Sequence, residues 1–165
     1  MGGRRREKIR EIFEWTMATV PATMLKAAAA APHNLELRID GGPLLLVAHA
    51  NALNLDDLIW SDTGEDELER LIGTPSPGLL VVGHIHAPLE MYVGQTHVVR
   101  AGSVGLKYER HWFDIAHWAD VAWNADSGEW AATARAVTWD FRAEIKAAYA
   151  ARYPGTDILP GYEDR

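Results

Sequence analysis

The sequence predicts an α/β protein built from mixed sheets flanked by helices, and three observations carry that prediction. Apolar runs of strand length recur and end in polar loops: residues 44–48 run into His49, 79–82 into Gly83-His84-Ile85-His86, and 96–100 into Ala101-Gly102-Ser103-Val104-Gly105. Such near-continuous apolar runs suit strands buried on both faces. A helical pattern separates the first two runs, and strand–helix–strand at this spacing implies a right-handed parallel crossover. Alternating segments joined by glycine-bearing turns add antiparallel hairpins.

In chain order, residues 4–31 are mostly helix formers. Ile9, Ile12, Phe13 and Met17 form an apolar stripe suited to packing on a sheet, and Pro21 divides the segment into two helices or breaks one. The basic start is expected to be solvated, and Trp15 to belong to the core. Leu35-Glu36-Leu37-Arg38-Ile39 alternates as a half-exposed strand should, and Asp40-Gly41-Gly42 turns it into residues 44–48. This hairpin delivers His49 to the rim of a sheet. Residues 66–72 form a short amphipathic helix that Ser61 or Thr63 could cap and that Gly73 and Pro75 end. The surrounding acids Asp62, Glu65, Asp66, Glu67 and Glu69 are expected to be a solvated face, because helix N-termini favour acids.

Beyond His86, residues 90–93 and 96–99 flank Gly94-Gln95 as a hairpin, with His97 in a structural role. Between residues 106 and 127, His111, Trp112, His117 and Trp118 mix imidazole and indole, which suits either a pocket wall or simple packing. Residues 119–123 and 129–139 pair around Asp126-Ser127-Gly128. Asp140 caps a last helix that runs to about residue 152 and stops at Pro154-Gly155.

Composition narrows the function. One domain is the natural expectation for 165 residues, and 48% hydrophobic with 24% charged residues is ordinary for a globular chain. The net charge of −7 argues against a general nucleic-acid binder. No cysteine is present, no apolar run reaches a membrane span, and no signal-type segment follows the first residues, so a cytoplasmic setting is expected.

The chemistry concentrates on the loops after the apolar strands. In open α/β sheets the ligand crevice lies beyond the carboxyl ends of the strands. If the three strands are parallel neighbours, His49, His84, His86 and the Gly-Ser loop share that crevice. Two histidines at i, i+2 in extended backbone face one side, where they can converge on a metal ion or an anion. Alone, the Gly-His-x-His tetrapeptide is equally a pair of solvated histidines, and the Gly-Ser loop equally an ordinary turn. Their ordered occurrence separates the readings.

That order resembles the calcineurin-like metallophosphoesterases, specifically their small bacterial phosphodiesterase branch. The family's later motifs are a strand ending in a lone His, then Gly-His-Thr/Ser-His, then a strand leading to Asn-Pro-Gly-Ser-Val-Gly. Their counterparts are Val47-Ala48-His49, Gly83-His84-Ile85-His86 and Arg100-Ala101-Gly102-Ser103-Val104-Gly105, and Val137-Thr138-Trp139-Asp140 is similar to the Val-Pro-Tyr-Asp that opens the branch's last helix. The family's early motifs, Asp-x-His, Gly-Asp and Gly-Asn-His-Asp/Glu, do not occur. Ala50-Asn51 follows His49 in place of Gly, Ile85 replaces a hydroxyl residue, and Arg100-Ala101 replaces Asn-Pro. The chain looks like the second, C-terminal half of a phosphoesterase.

The resemblance implies a partial α-β-β-α sandwich and a metal-dependent phosphoesterase with two divalent ions, manganese first and iron, zinc or nickel as alternatives. It assigns His49 and His84 to one ion and His86 to the other, and places Gly102 and Ser103 beside a small phosphate ester. The bridging aspartate, the other ligands and the histidine that assists the leaving group fall in the missing half. A different class of reading is a non-catalytic half-domain that binds metal or a protein. A third is a single-ion site with His49, His84 and His86 as its three ligands. Loss of the first half would leave a sheet edge open, so self-association or a partner chain at that edge is expected.

Overall fold

The computed structural model describes residues 3–39, 41–105 and 114–159, and the chain divides into two compact units. The first joins residues up to Ala31 with those from Asp140 onward, and the second runs from Pro32 to Trp139. His111 and Trp112 lie outside the described residues.

In the second unit the apolar runs become the middle of a five-stranded sheet. Its strands are β1 (Asn34–Leu37), β2 (Leu45–Ala48), β3 (Leu79–Val82), β4 (Leu89–Val93) and β5 (Thr96–Arg100), in spatial order β1-β2-β3-β5-β4. β2 runs parallel to β3 with Leu45 beside Leu79 and Val47 beside Val81. β3 runs parallel to β5 with Leu79 beside His97 and Val82 beside Arg100. The outer strands β1 and β4 pair antiparallel with β2 and β5, which makes the sheet mixed. The three parallel strands therefore end together, as the expected crevice requires.

Alternation along these strands sends side chains to two cores. Toward one face, Leu44, Leu46, Ala48, Leu80, Val82 and Val98 pack with Ile59 and with Leu68, Leu71 and Ile72 of helix α3 (Glu65–Ile72, numbered after two helices of the other unit). Those three α3 residues fall at i, i+3, i+4 and form one stripe. Toward the other face, Leu45, Leu79 and Val99 pack against Ala119, Trp130 and Ala132 of a ribbon made by β6 (Ile115–Asn124) and β7 (Glu129–Thr138). Helix, sheet and ribbon thus form three layers, and burial on both faces explains why β2, β3 and β5 read as unbroken apolar runs. Trp130 anchors the ribbon by donating its indole N–H to the Pro43 carbonyl at 2.9 Å, with Trp123 edge-on to it.

Local details differ from expectation in instructive ways. Neither Ser61 nor Thr63 caps α3; its N-cap is Gly64, and the Thr63 hydroxyl instead accepts the Trp60 N–H at 2.8 Å. The acids Asp62, Glu65, Asp66, Glu67 and Glu69 are exposed, and Glu67 with Asp57 pairs Arg70. β6 begins at Ile115, earlier than the sequence pattern predicts, because it pairs β7 along its full length from Ile115–Thr138 to Asn124–Glu129. The turn between them is an Asx turn in which Asn124 Oδ1 accepts from Asp126 and Ser127, closed by Gly128 at φ 69°.

The first unit holds α1 (Gly3–Thr19), α2 (Ala22–Ala29), α4 (Phe141–Ala150) and a short 3-10 turn. Pro21 separates α1 from α2, and Asp140 caps α4 by accepting the Ala143 N–H at 2.9 Å. α4 stops at Ala150, two residues short of expectation, and Arg152 turns left-handed at φ 54°. Within this unit α1 uses its Lys8–Trp15 side: Lys8 reaches the Pro154 carbonyl and Asp157, and Trp15 meets Tyr153 edge-on while donating to the Ala151 carbonyl. Trp15 is accordingly half-buried. Ile9, Phe13 and Met17, expected to pack on a sheet, are exposed. No helix among the described residues is long and apolar enough to cross a membrane.

Leu79 is fully buried between sheet and ribbon, so Leu79→Ala should destabilise the protein by about 3 kcal/mol. Leu35 is half exposed on the edge strand, and Leu35→Ala should shift urea unfolding by no more than about 0.5 kcal/mol. Equal losses would contradict the assigned core.

Candidate functional site

The ends of β2 and β3 are held together by one backbone hydrogen bond, from the Gly83 N–H to the His49 carbonyl at 2.8 Å. His49 stands exposed between buried Ala48 and Ala50, so its ring points out of the sheet at the strand end. After Gly83 the backbone does not stay extended. His84 takes φ 59°, an uncommon conformation outside glycine, and the Ile85 N–H closes a tight turn onto the Gly83 carbonyl at 2.7 Å. Ile85 is 2% exposed, and burying it turns its neighbours outward. A strained residue at a strand end is a frequent mark of a functional site.

The turn brings His84 onto His49. His84 Nδ1 lies 2.8 Å from His49 Nε2, with ring centroids 4.8 Å apart and planes at 74°. At that separation one nitrogen donates its hydrogen and the other accepts it. Two imidazole nitrogens converging on one place are the donor type that manganese, iron, zinc or nickel accepts. The pair therefore fits a fraction of a metal site, in which an ion would take the place of the shared hydrogen between the two nitrogens. Among the described residues no group of three His, Cys, Asp or Glu side chains forms a metal-binding cluster. His86 is half-buried on the same loop. The extended backbone expected for His84 and His86 is not what forms: His84 takes a positive φ, the strand ends at Val82, and the two histidines sit on a turn. The three-histidine, single-ion arrangement is likewise not assembled.

The Gly-Ser loop follows β5 at the same ends of the parallel strands. Gly102 sits at φ 90°, and a Cβ there would stand 2.8 Å from the Cβ of His117. The Ser103 carbonyl accepts the His117 N–H at 2.9 Å, and the Ser103 hydroxyl accepts the Gly105 N–H at 3.2 Å. His117, undecided between pocket and packing from sequence, is thus the β6 residue against which this loop rests. His97 is structural, as expected, yet has close company: Glu90 Oε1 lies 2.9 Å from its Nε2, and Tyr92 stacks on its ring.

Two further residues, visible in the sequence only as departures from the family's motifs, shape the rim. Asn51, 1% exposed, accepts the Leu53 and Asn54 N–H groups on Oδ1 and donates from Nδ2 to the Asp57 carbonyl at 2.7 Å. Asn54 repeats the pattern on Asp56 and Asp57. The Asn-x-x-Asn-x-x-Asp spacing was the available signal. Arg100, 5% exposed, donates to the Ala87 and Ile59 carbonyls at 2.6 Å each. Burial holds its pKa below the usual arginine value. A charged residue ending an apolar strand was its signal.

The fold has known counterparts. A metallophosphoesterase from Sphaerobacter thermophilus matches with a TM-score of 0.64 and 16% identity over 84% of this chain and 60% of that one. A hypothetical protein from Pyrococcus horikoshii OT3 matches with a TM-score of 0.57 and 20% identity over 82% of this chain and 53% of that one. The chain thus spans little more than half the length of these neighbours, and its mixed α/β architecture is the metallophosphoesterase-like fold. No protein-family model and no curated protein matches the sequence.

Gly102→Ala should destabilise the protein by roughly 1–3 kcal/mol, since the left-handed backbone and the His117 contact both oppose a side chain. Gly83→Ala, whose Cβ would sit at an ordinary 3.5 Å from the His49 carbonyl, should stay within about 1 kcal/mol of the native protein in thermal unfolding. The reverse order would contradict this geometry.

Proposed function

We propose that the chain is the C-terminal half of a metal-dependent phosphoesterase that hydrolyses a small phosphodiester or phosphomonoester. One observation carries the reading: the His49–His84 nitrogen pair at the ends of β2 and β3, with the Gly-Ser loop after their parallel neighbour β5. In this proposal His49 and His84 hold one divalent ion and His86 a second, manganese before iron, zinc or nickel. Ions so placed would supply charge neutralisation for phosphate oxygens and a hydroxide nucleophile at neutral pH. The Gly83 N–H fixes the His49 carbonyl, and the left-handed turn at His84 fixes its ring. The Ser103 hydroxyl accepts the Gly105 N–H, so its own hydrogen is available to a phosphate oxygen, and Gly102, whose left-handed turn packs on His117, brings backbone beside it. A cytoplasmic setting suits a chain without cysteine.

The missing early motifs leave the site incomplete, and no third ligand among the described residues joins the histidine pair. The proposal therefore has the other ligands supplied by the phosphoesterase's first half, whether on the same polypeptide or on a second copy or partner chain at an open sheet edge. Exposed Leu35 and Leu37 on the edge strand β1 support it. The alternative, a non-catalytic metal-binding or protein-interaction module, draws on the same incompleteness.

Manganese-dependent hydrolysis of a generic aryl phosphodiester should appear in an associated form of the chain and vanish in His84→Ala. A folded wild type as inert as His84→Ala, sedimenting as a monomer, would defeat the catalytic reading for this chain alone.

A further inference from the structure

The Arg100 guanidinium is the least expected group in the sheet's interior. Taking a charge out of water is costly unless it is paired, and among the described residues no carboxylate pairs with Arg100. Its partners are two backbone carbonyls, Ala87 from Nε and Ile59 from Nη1, each at 2.6 Å. A methionine of similar reach would fill the space without the desolvation.

The positions of those carbonyls are informative. Ala87 follows His86 directly and stands three residues after His84. Ile59, 1% exposed, belongs to the connection that leaves His49, and Asn51 already braces that connection through the Asp57 carbonyl. Arg100 itself lies beside Val82, the last residue of β3, and the next residue's N–H, that of Ala101, bonds the Val82 carbonyl at 3.3 Å. One planar fork thus joins the segment carrying His84 to the segment carrying His49, from the end of β5, which pairs β3 on one side and β4 on the other. The planar, rigid geometry of arginine suits two divergent acceptors better than a lysine point charge does.

We propose that Arg100 is a positioning residue that sets the separation of the His49 and His84 rings by clamping the two loops that bear them. The inference rests on the reading of that histidine pair as the working site. Arg100 touches no reacting atom; it acts through the Ala87 and Ile59 carbonyls.

The test uses the full chain, uniformly 15N-labelled, as wild type, Arg100→Gln and Arg100→Lys. Long-range proton–nitrogen spectra of the imidazoles are recorded without metal, followed by manganese titration. The wild type should show the shared hydrogen of the His49–His84 pair. Arg100→Gln should lose that signature while the backbone amides of β2, β3 and α3 keep their dispersion, and its manganese affinity should fall about tenfold or more. Arg100→Lys, able to reach one carbonyl, should restore part of both. Imidazole signals in folded Arg100→Gln identical to wild type would overturn the proposal. If Arg100→Gln does not fold, Arg100→Lys decides, and unchanged imidazole signals there overturn it equally. A wild type that binds no manganese would defeat the metal reading, while the imidazole signals would still decide the role of Arg100.

Discussion

The structure depends on one constraint: β2, β3 and β5 run parallel and in register, so the three loops after them open at the same edge of the sheet. Parallel strands must be covered on both faces, and here α3 covers one face and the β6–β7 ribbon the other. The cover keeps the strand ends fixed. The Gly83–His49 backbone bond, at 2.8 Å, then converts the alignment of strands into an alignment of loops. Arg100 adds a second tie between the same two loops, through the Ala87 and Ile59 carbonyls.

Strain and burial divide the remaining work. His84 accepts a left-handed backbone because Ile85 behind it is buried, so burial of one side chain offsets the conformational cost of its neighbour. The Gly102 turn is tight for a different reason, since His117 leaves no room for a side chain there. Asn51 and Arg100 satisfy buried carbonyls and amides in loops that would otherwise be loose. Each rim element is thus held by a specific contact, and the site's geometry does not require a long lever from elsewhere.

Much of this was legible in the sequence because apolar runs, turn glycines and the histidine motifs are local signals. Residues 44–48, 79–82 and 96–100 announced strands, and Gly41, Gly73, Gly94 and Gly128 marked the turns that indeed take positive φ. That His49 and His84 share one edge of the sheet followed from parallel neighbours, and their pairing was what the family resemblance implied. The positive φ of His84 did not follow, because nothing local distinguishes a histidine in extended backbone from one turned left-handed by a buried neighbour. The bracing roles of Arg100 and Asn51 were not legible for a similar reason: the acceptors lie 13 and 41 residues away for the first, and inside an irregular loop for the second. The α1 stripe misled, since amphipathic periodicity says which residues could be covered and not whether this chain supplies the cover.

The most direct test of the central claim is manganese binding measured by electron paramagnetic resonance for wild type, His49→Ala, His84→Ala and the double variant. If the two rings serve one ion, each single substitution should remove most of the binding and the double should lose little more. Additive losses from the two substitutions, or single variants that bind as the wild type does, would contradict the account.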